Sequence, residues 1–195
     1  MSSQVSEAPR RGLNPRQADT VERLLAAGLE ELRAVGHETL TVRTVAQRAG
    51  VSPATAYTYL ASKNHLFAEL FWRHLASQAA PTADADRSAV ERVQDTVRGL
   101  TARIVEEPAL AAAVTPALLG SDPDVERLRL RIGGEFLSRF ESALATPDRA
   151  ADPAVLEVLV LTFSGALLQA GMGLMTYDQM AERLVAAVDV ILRGN

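Results

Sequence analysis

Apolar residues along this chain return every three or four positions, and the runs with this spacing are set off by proline and small polar residues. Asn14-Pro15, Ser52-Pro53, Asp122-Pro123 and Asp152-Pro153 each couple a capping side chain to a proline preset for the first helical turn. Asn-Gly and Asp-Gly hairpin turns are absent, as is any sustained alternation of β-branched residues. The pattern predicts an all-α protein of about nine helices, near residues 15–35, 42–49, 53–59, 63–79, 88–105, 108–119, 124–144, 153–175 and 178–192. Residues 80–87 and 145–152 read as polar breaks, and residues 1–13 as a flexible tail.

The first helix sets Val21, Leu24, Leu25, Gly28, Leu29 and Leu32 on one face and reaches a terminating glycine at Gly36. Between residues 39 and 67 the punctuation is densest. Thr41 caps a short helix with Val42, Val45, Ala46 and Ala49 inward, Gly50 supplies a left-handed turn, and Val51 plugs the corner. Ser52 then caps a second short helix with Pro53 behind it. Two short helices joined through a glycine turn, with alanines where they touch, form a helix-turn-helix.

Composition narrows the class. The 195 residues are 48% apolar, 23% charged and 5% aromatic, which supports a packed core and excludes disorder as the main state. No cysteine is present, so disulfide frameworks, thiolate metal sites and cysteine nucleophiles are excluded. No window is expected to approach the roughly 20 residues of a membrane span, and the N-terminus has no apolar signal region; the expected location is the cytoplasm, away from membranes. The net charge of −4 hides an asymmetry: residues 10–65 carry eight basic against five acidic side chains, whereas the remainder is acidic. A positive module on a negative body suits a polyanion at one end.

On helix 53–59, Ala56 and Leu60 are four apart and should face the core. Pro53, Ala54, Thr55, Thr58 and Tyr59 are expected to meet solvent, with Tyr57 at the margin. This face holds no acid to repel phosphate. Small residues and threonine methyls can approach base edges, and a capped helix start and tyrosine hydroxyls can donate to phosphates. A plain three-helix core would have a similar composition, but exposed tyrosines on so short a helix favour a partner.

Residues 16–72 resemble the DNA-binding domain of the TetR family of bacterial transcriptional regulators. The resemblance is carried by the face ending at Gly36, by Thr39-Leu40-Thr41-Val42 with Val45-Ala46, by Ala49-Gly50-Val51-Ser52, by Tyr57, and by Ser62-Lys63 leading to Leu66-Phe67. Leu32 and Leu60 stand where the family usually has phenylalanine, and Ala54 replaces a common glycine; these changes bear on which bases are read rather than on the fold. The resemblance implies a homodimer that sets one recognition helix per subunit in successive major grooves of a palindromic double-stranded DNA operator. Thr41 would meet the backbone, Ser52, Pro53, Ala54, Tyr57, Thr58 and Tyr59 the groove, and Lys63 a phosphate. Arg43, Thr44 and Arg48 are added from charge and exposure on helix 42–49, and Thr55 from its place on the second helix. Arg10, Arg11 and Arg16 form either a phosphate-binding arm or a solvated tail.

The expected organisation is thus a tail (1–13), a helix-turn-helix domain (14–62) and a larger helical ligand-binding and dimerisation domain (63–195). Helix 153–175 is apolar nearly all round, which predicts burial by core, pocket and a second subunit. Leu168 on it, with Met180, Leu184, Val188 and Ile191 on the last helix, is expected at a four-helix dimer seam, the family's usual mode. For a small, largely apolar effector, Phe136, Phe140, Thr162, Gln169 and Met172 are the candidate contacts. No cofactor, metal or catalytic residue is expected: His37, His65 and His74 lack metal-binding spacing, and no phosphate-binding glycine loop occurs. The expected function is a transcriptional regulator, most simply a repressor released by its ligand. The alternatives are a regulator without a ligand and a helical interaction adaptor, which would leave the helix-turn-helix without a purpose.

Overall fold

The computed structural model describes residues 14–77 and 86–193. The expected tail, Arg10 and Arg11 included, and most of the break at 80–87 lie outside the described residues. Among the described residues there are nine helices and no strand: α1 (Pro15–Thr39), α2 (Val42–Arg48), α3 (Pro53–Tyr59), α4 (Lys63–Ala76), α5 (Ala89–Val105), α6 (Pro108–Leu119), α7 (Pro123–Leu144), α8 (Pro153–Gly171) and α9 (Tyr177–Ile191).

The four proline signals all start helices. Asn14 Oδ1 accepts from Gln17 N while the Gln17 side chain returns to Asn14 N, closing a capping box. Ser52, Asp122 and Asp152 cap α3, α7 and α8 in the same sense. At Gly36 φ reaches 75°, which breaks the regular α1 geometry where expected, and one more turn runs on to Thr39. Gly50, at φ 66°, turns the chain between α2 and α3.

Helix α4 is buried on nearly every side because it lies against α1, α6 and α7. Leu66 sits where Gly28 of α1 has no side chain; a Cβ there would stand 2.8 Å from Leu66 Cδ1. The end of α4 is tied to the rest by cations on main-chain oxygens: Arg139 Nη2 donates to Leu75 O at 3.0 Å, and Arg103 Nε to His74 O at 2.9 Å. The inward series of α7 holds as predicted, with Val125, Leu128, Ile132, Phe136 and Phe140 all buried. Phe136 and Phe140 both meet Phe163 of α8 edge to face, with ring centroids 4.9 and 5.6 Å apart.

Two expectations about the C-terminal helices need correction. Helix α8 ends at Gly171, short of 175, because Gly173 takes φ 75° and the chain reverses: Gly173 N donates to Ala170 O and Leu174 N to Gln169 O. Within one chain the apolar girth of α8 is covered only in part, with Val155, Leu156, Val160, Ala166 and Leu167 half-buried at the margin of the core. Leu159, Phe163 and Ala170 are buried, whereas Val158 and Leu161 are exposed. By length and composition α8 could cross a membrane, contrary to the expectation that no window comes near that length. Here it packs along α6, α7 and α9.

Helix α8 approaches α6 closely at Gly171, where a Cβ would fall 2.6 Å from Thr115 Cβ and 2.7 Å from its Cγ2. No rotamer of Thr115 relieves a clash with its own Cβ. We expect Gly171→Ala to lower stability by about 1–3 kcal/mol through overpacking. Gly99→Ala, on an open face of α5 with nothing within 4 Å of the added carbon, should instead raise it by about 0.5–1 kcal/mol. Urea unfolding at fixed protein concentration measures both.

Candidate nucleic-acid interface

The turn from α2 to α3 is fixed by its own hydroxyls. Thr41 Oγ1 accepts from Thr44 N at 3.1 Å, and Thr44 Oγ1 donates to Thr41 O at 2.9 Å. Ser52 Oγ accepts from Thr55 N at 3.1 Å and lies 2.8 Å from Thr55 Oγ1. Thr41, Thr44, Ser52 and Thr55 are therefore capping residues first, and what they offer a ligand is a rigid helix start. On α3, Pro53, Ala54 and Thr58 are exposed, and the Thr58 hydroxyl donates to Ala54 O.

The two tyrosines exchange their expected roles. Tyr57 is 54% exposed, while Tyr59 is half-buried against the core. Helical spacing accounts for this: Tyr59 lies three residues after Ala56 and beside Leu60, so it belongs to the inner stripe, whereas Tyr57 is four after Pro53 on the outer one. Gln47, exposed four residues after Arg43, was missed in the sequence although the same spacing puts it beside Arg43.

Three of the six described basic residues before position 66 are already paired with acids. Arg48 is corrected as a candidate: Nε donates to Glu31 Oε2 at 2.7 Å and Nη1 lies 3.7 Å from Glu30, which turns the guanidinium back onto α1. Arg33 pairs with Glu107, and Arg23 pairs with Asp19 and donates to Ala49 O. Lys63 Nζ donates to His37 O and Glu38 O, both at 3.2 Å, and so closes the end of α1. Arg16 and Arg43 are exposed and, among the described residues, carry no ion pair.

Three contacts lead from this face into the body. Arg33 of α1 meets Glu107 at the start of α6, and Arg73 of α4 joins Glu22 of α1 to Glu69. Ser62, which caps α4, donates from Oγ to Asp122 Oδ2 at 2.6 Å, and Asp122 caps α7. That hydrogen bond, against partial burial and helped by the Asp124 and Val125 amides and His65, holds the Asp122 carboxyl below the ordinary carboxylate range.

Behind these contacts, α6, α7 and α8 form an open cavity of about 260 Å³ lined by Leu118, Ile132, Phe136, Ser164, Leu168 and Arg129. The expected effector residues do not converge there. Phe136 lines the cavity. Phe140 is sealed in the core against Phe163, and Met172 is exposed at the cap of α8. Thr162 and Gln169, seven residues apart and hence on one side of α8, line a shallow groove toward α9 instead. The expected seam is corrected likewise. Met180, Leu184 and Val188 are buried in the chain's own core, leaving no surface for a second copy, and Leu168 faces the cavity. Ile191 stays half-buried.

The tyrosines separate binding from folding. Tyr57→Ala should leave stability within about 0.5 kcal/mol, as for an exposed site, while weakening duplex binding. Tyr59→Ala should cost about 1–3 kcal/mol of stability. Thermal unfolding and a duplex mobility shift on the same preparations check both.

The sequence model of the bacterial regulatory proteins, tetR family, matches residues 24–70, from the middle of α1 into α4. An HTH-type transcriptional regulator of Mycobacterium tuberculosis is 44% identical over 183 residues, covering 93% of this chain and 84% of that protein, and one of Mycobacterium bovis matches to the same extent. The HTH-type transcriptional repressor KstR of Mycobacterium tuberculosis is 29% identical over 143 residues, covering 68% and 64% of the two chains. Among solved structures, a TetR transcriptional regulator from Rhodococcus sp. RHA1 superposes with a TM-score of 0.72 at 21% identity, covering 93% of this chain and 98% of that one. The helix-turn-helix built by α2 and α3, and the agreement along nearly the whole chain, establish that this protein belongs to the TetR family of bacterial transcriptional regulators.

Proposed function

We propose that this protein is a cytoplasmic repressor that binds a palindromic operator as a homodimer and leaves it when a small ligand occupies the body. The observation that carries the DNA-binding half is the α3 surface: Tyr57, Pro53, Ala54 and Thr58 stand exposed with no acid among them, beside Arg43 and the Lys63 ammonium. Helix α3 would enter the major groove, where small residues and threonine methyls approach base edges and Tyr57 supplies a donor. Arg43, Gln47 and Lys63 would hold phosphates. Residues 14–62 would act as the DNA-binding unit, and residues 63–193 as its regulatory body.

Dimerisation is supported by α8. Its outer side exposes Val158 and Leu161, and Leu174 and Val190 lie exposed on the segments that follow. A second copy of the same helices would cover this apolar area, and two-fold symmetry would match a palindrome with half-sites about 34–36 Å apart. Repression is supported by the similarity to the transcriptional repressor KstR. Ligand control is supported by the 260 Å³ cavity, near the lower end of the roughly 300–1,000 Å³ range of small-molecule sites. A Thermus thermophilus TetR-family repressor named FadR, of similar fold at TM-score 0.58, was solved with lauroyl-CoA. Helix α6 lines the cavity and also packs on α1 and α4, so a ligand that moves it would alter the spacing of the two α3 helices.

Leu161, 65% exposed, supplies the test of assembly. Leu161→Asp should leave the subunit folded, because nothing in the core depends on it, but would place an unpaired charge in the seam at a cost of several kcal/mol. Sedimentation should then report monomers, and operator affinity should collapse with the second half-site. Wild-type protein that sediments as a monomer at micromolar concentration would sink the dimer. In the dimer, Arg43→Ala should weaken all duplexes alike and lower the salt slope by roughly one per subunit. A changed base preference with an unchanged slope would assign Arg43 to the groove instead.

A further inference from the structure

We infer that the ligand of the α6–α7–α8 cavity is an amphipathic anion, a carboxylate on an apolar tail, and that Arg129 both recognises it and releases α6 in doing so. The inference rests on the reading of this cavity as the effector site. Its walls are aliphatic and aromatic, with Leu118, Ile132, Phe136 and Leu168 offering burial to a tail and no charge. One cation completes the lining. Arg129 Nε donates to Leu118 O at 2.6 Å and Nη2 to Gly120 O at 2.5 Å. Both acceptors belong to the end of α6, whose last carbonyls have no partner within the helix. No carboxylate pairs with Arg129 among the described residues.

This leaves a full positive charge beside an apolar cavity, held only by neutral acceptors. A carboxylate takes two parallel guanidinium N–H groups at once, and such charge-assisted bonds are roughly twice as strong as neutral ones. An anion seated with its tail in the cavity would therefore draw Arg129 off the α6 carbonyls. Helix α6 is poorly placed to hold that end alone. Pro116 lies inside it and withholds one main-chain donor, and Gly120 N reaches Ala117 O only at 3.3 Å. The same helix meets α1 through Glu107 and Arg33. Ligand recognition and release of the helix that borders the DNA-binding unit thus share one side chain. A neutral ligand of the same shape would fill the cavity without disturbing Arg129.

Octanoate and 1-octanol, with equal tails and different heads, separate these cases by calorimetric titration of the full-length protein. The alcohol is the more apolar of the two, so any preference for the acid must come from a cation. Octanoate is expected to bind wild-type protein about tenfold more tightly than octanol. R129Q should abolish that preference, and R129K should retain part of it as a point charge. Hydrogen exchange gives a second readout. Amides of residues 117–121 should exchange faster with octanoate but not with octanol, and R129Q without ligand should match the octanoate-bound state. Equal affinity of the two compounds for wild-type protein would overturn the anion assignment and leave the effector cavity standing. A preference that survives in R129Q would overturn Arg129 as the recognising cation. Failure of both compounds to bind, or binding that persists when I132W fills the cavity, would overturn the cavity reading itself. The wild-type comparison decides the charge question even if a variant folds poorly.

Discussion

The contact on which the rest of this structure depends is the seating of Leu66 against Gly28. Without a side chain at position 28, α4 lies directly on α1 and carries Phe67, Leu70 and Phe71 into the space among α1, α6 and α7. Helix α4 therefore has no free face along most of its length. It follows α3 through only Leu60, Ala61 and Ser62, so the position of the helix-turn-helix is set by how α4 is held. A close-packed interior transmits such a constraint because it has no slack to absorb it. The three polar contacts from the DNA-facing side into the body, at Arg33, Arg73 and Ser62, all cross this layer. Arg33 and Ser62 limit the tilt of α1 and α4 against α6 and α7, and Arg73 fixes α4 to α1.

Pairing also changes the meaning of the charge distribution. The excess of basic residues in the first third of the chain suggests a broad positive surface. In the folded protein much of it is used internally: Arg23, Arg33 and Arg48 all have acidic partners, which leaves Arg16, Arg43 and Lys63 as the described basic residues of this module without one. Nonspecific attraction to DNA would then be modest, and discrimination would lean on the fit of α3 and on symmetric presentation of two copies. A net charge of −4 points the same way, since the body would repel the duplex wherever it was not aligned.

What could be read from the chain followed the range of the interactions. The capped starts of α1, α3, α7 and α8, the left-handed glycines at 36 and 50, and the inward series on α7 are local, and each appears at the expected residue. The helix-turn-helix was legible for the same reason. Long-range choices were not. Helix α8 is apolar on every side, so its composition could not tell which side met the core, nor that Thr162 and Gln169 line one groove and Leu168 another. On α9 the stripe Met180–Leu184–Val188 is buried within the chain, where α9 packs on α5 and α8. The exchange of Tyr57 and Tyr59 differs in kind. The inner stripe of Ala56 and Leu60 already contained position 59, so helical geometry alone was enough to resolve it.

The arginines of the body show why its helices can be firmly joined and still movable. Arg92 donates to Ala143 O at the end of α7, Arg139 to Leu75 O at the end of α4, Arg103 to His74 O, and Arg129 to the end of α6. Each supplies donors to carbonyls that a helix cannot satisfy by itself, and each comes from a neighbouring helix, so a helix end and a tertiary contact become one interaction. Burial separates them. Arg92 and Arg139 are sealed in the interior, where losing an acceptor would strand a charge at high cost. Arg129 is exposed, and water or an anion can replace its carbonyls with little penalty. Of these junctions the end of α6 is held by the most exposed arginine and opens at the least cost. It adjoins a cavity on one side and the helices that carry the DNA-binding face on the other.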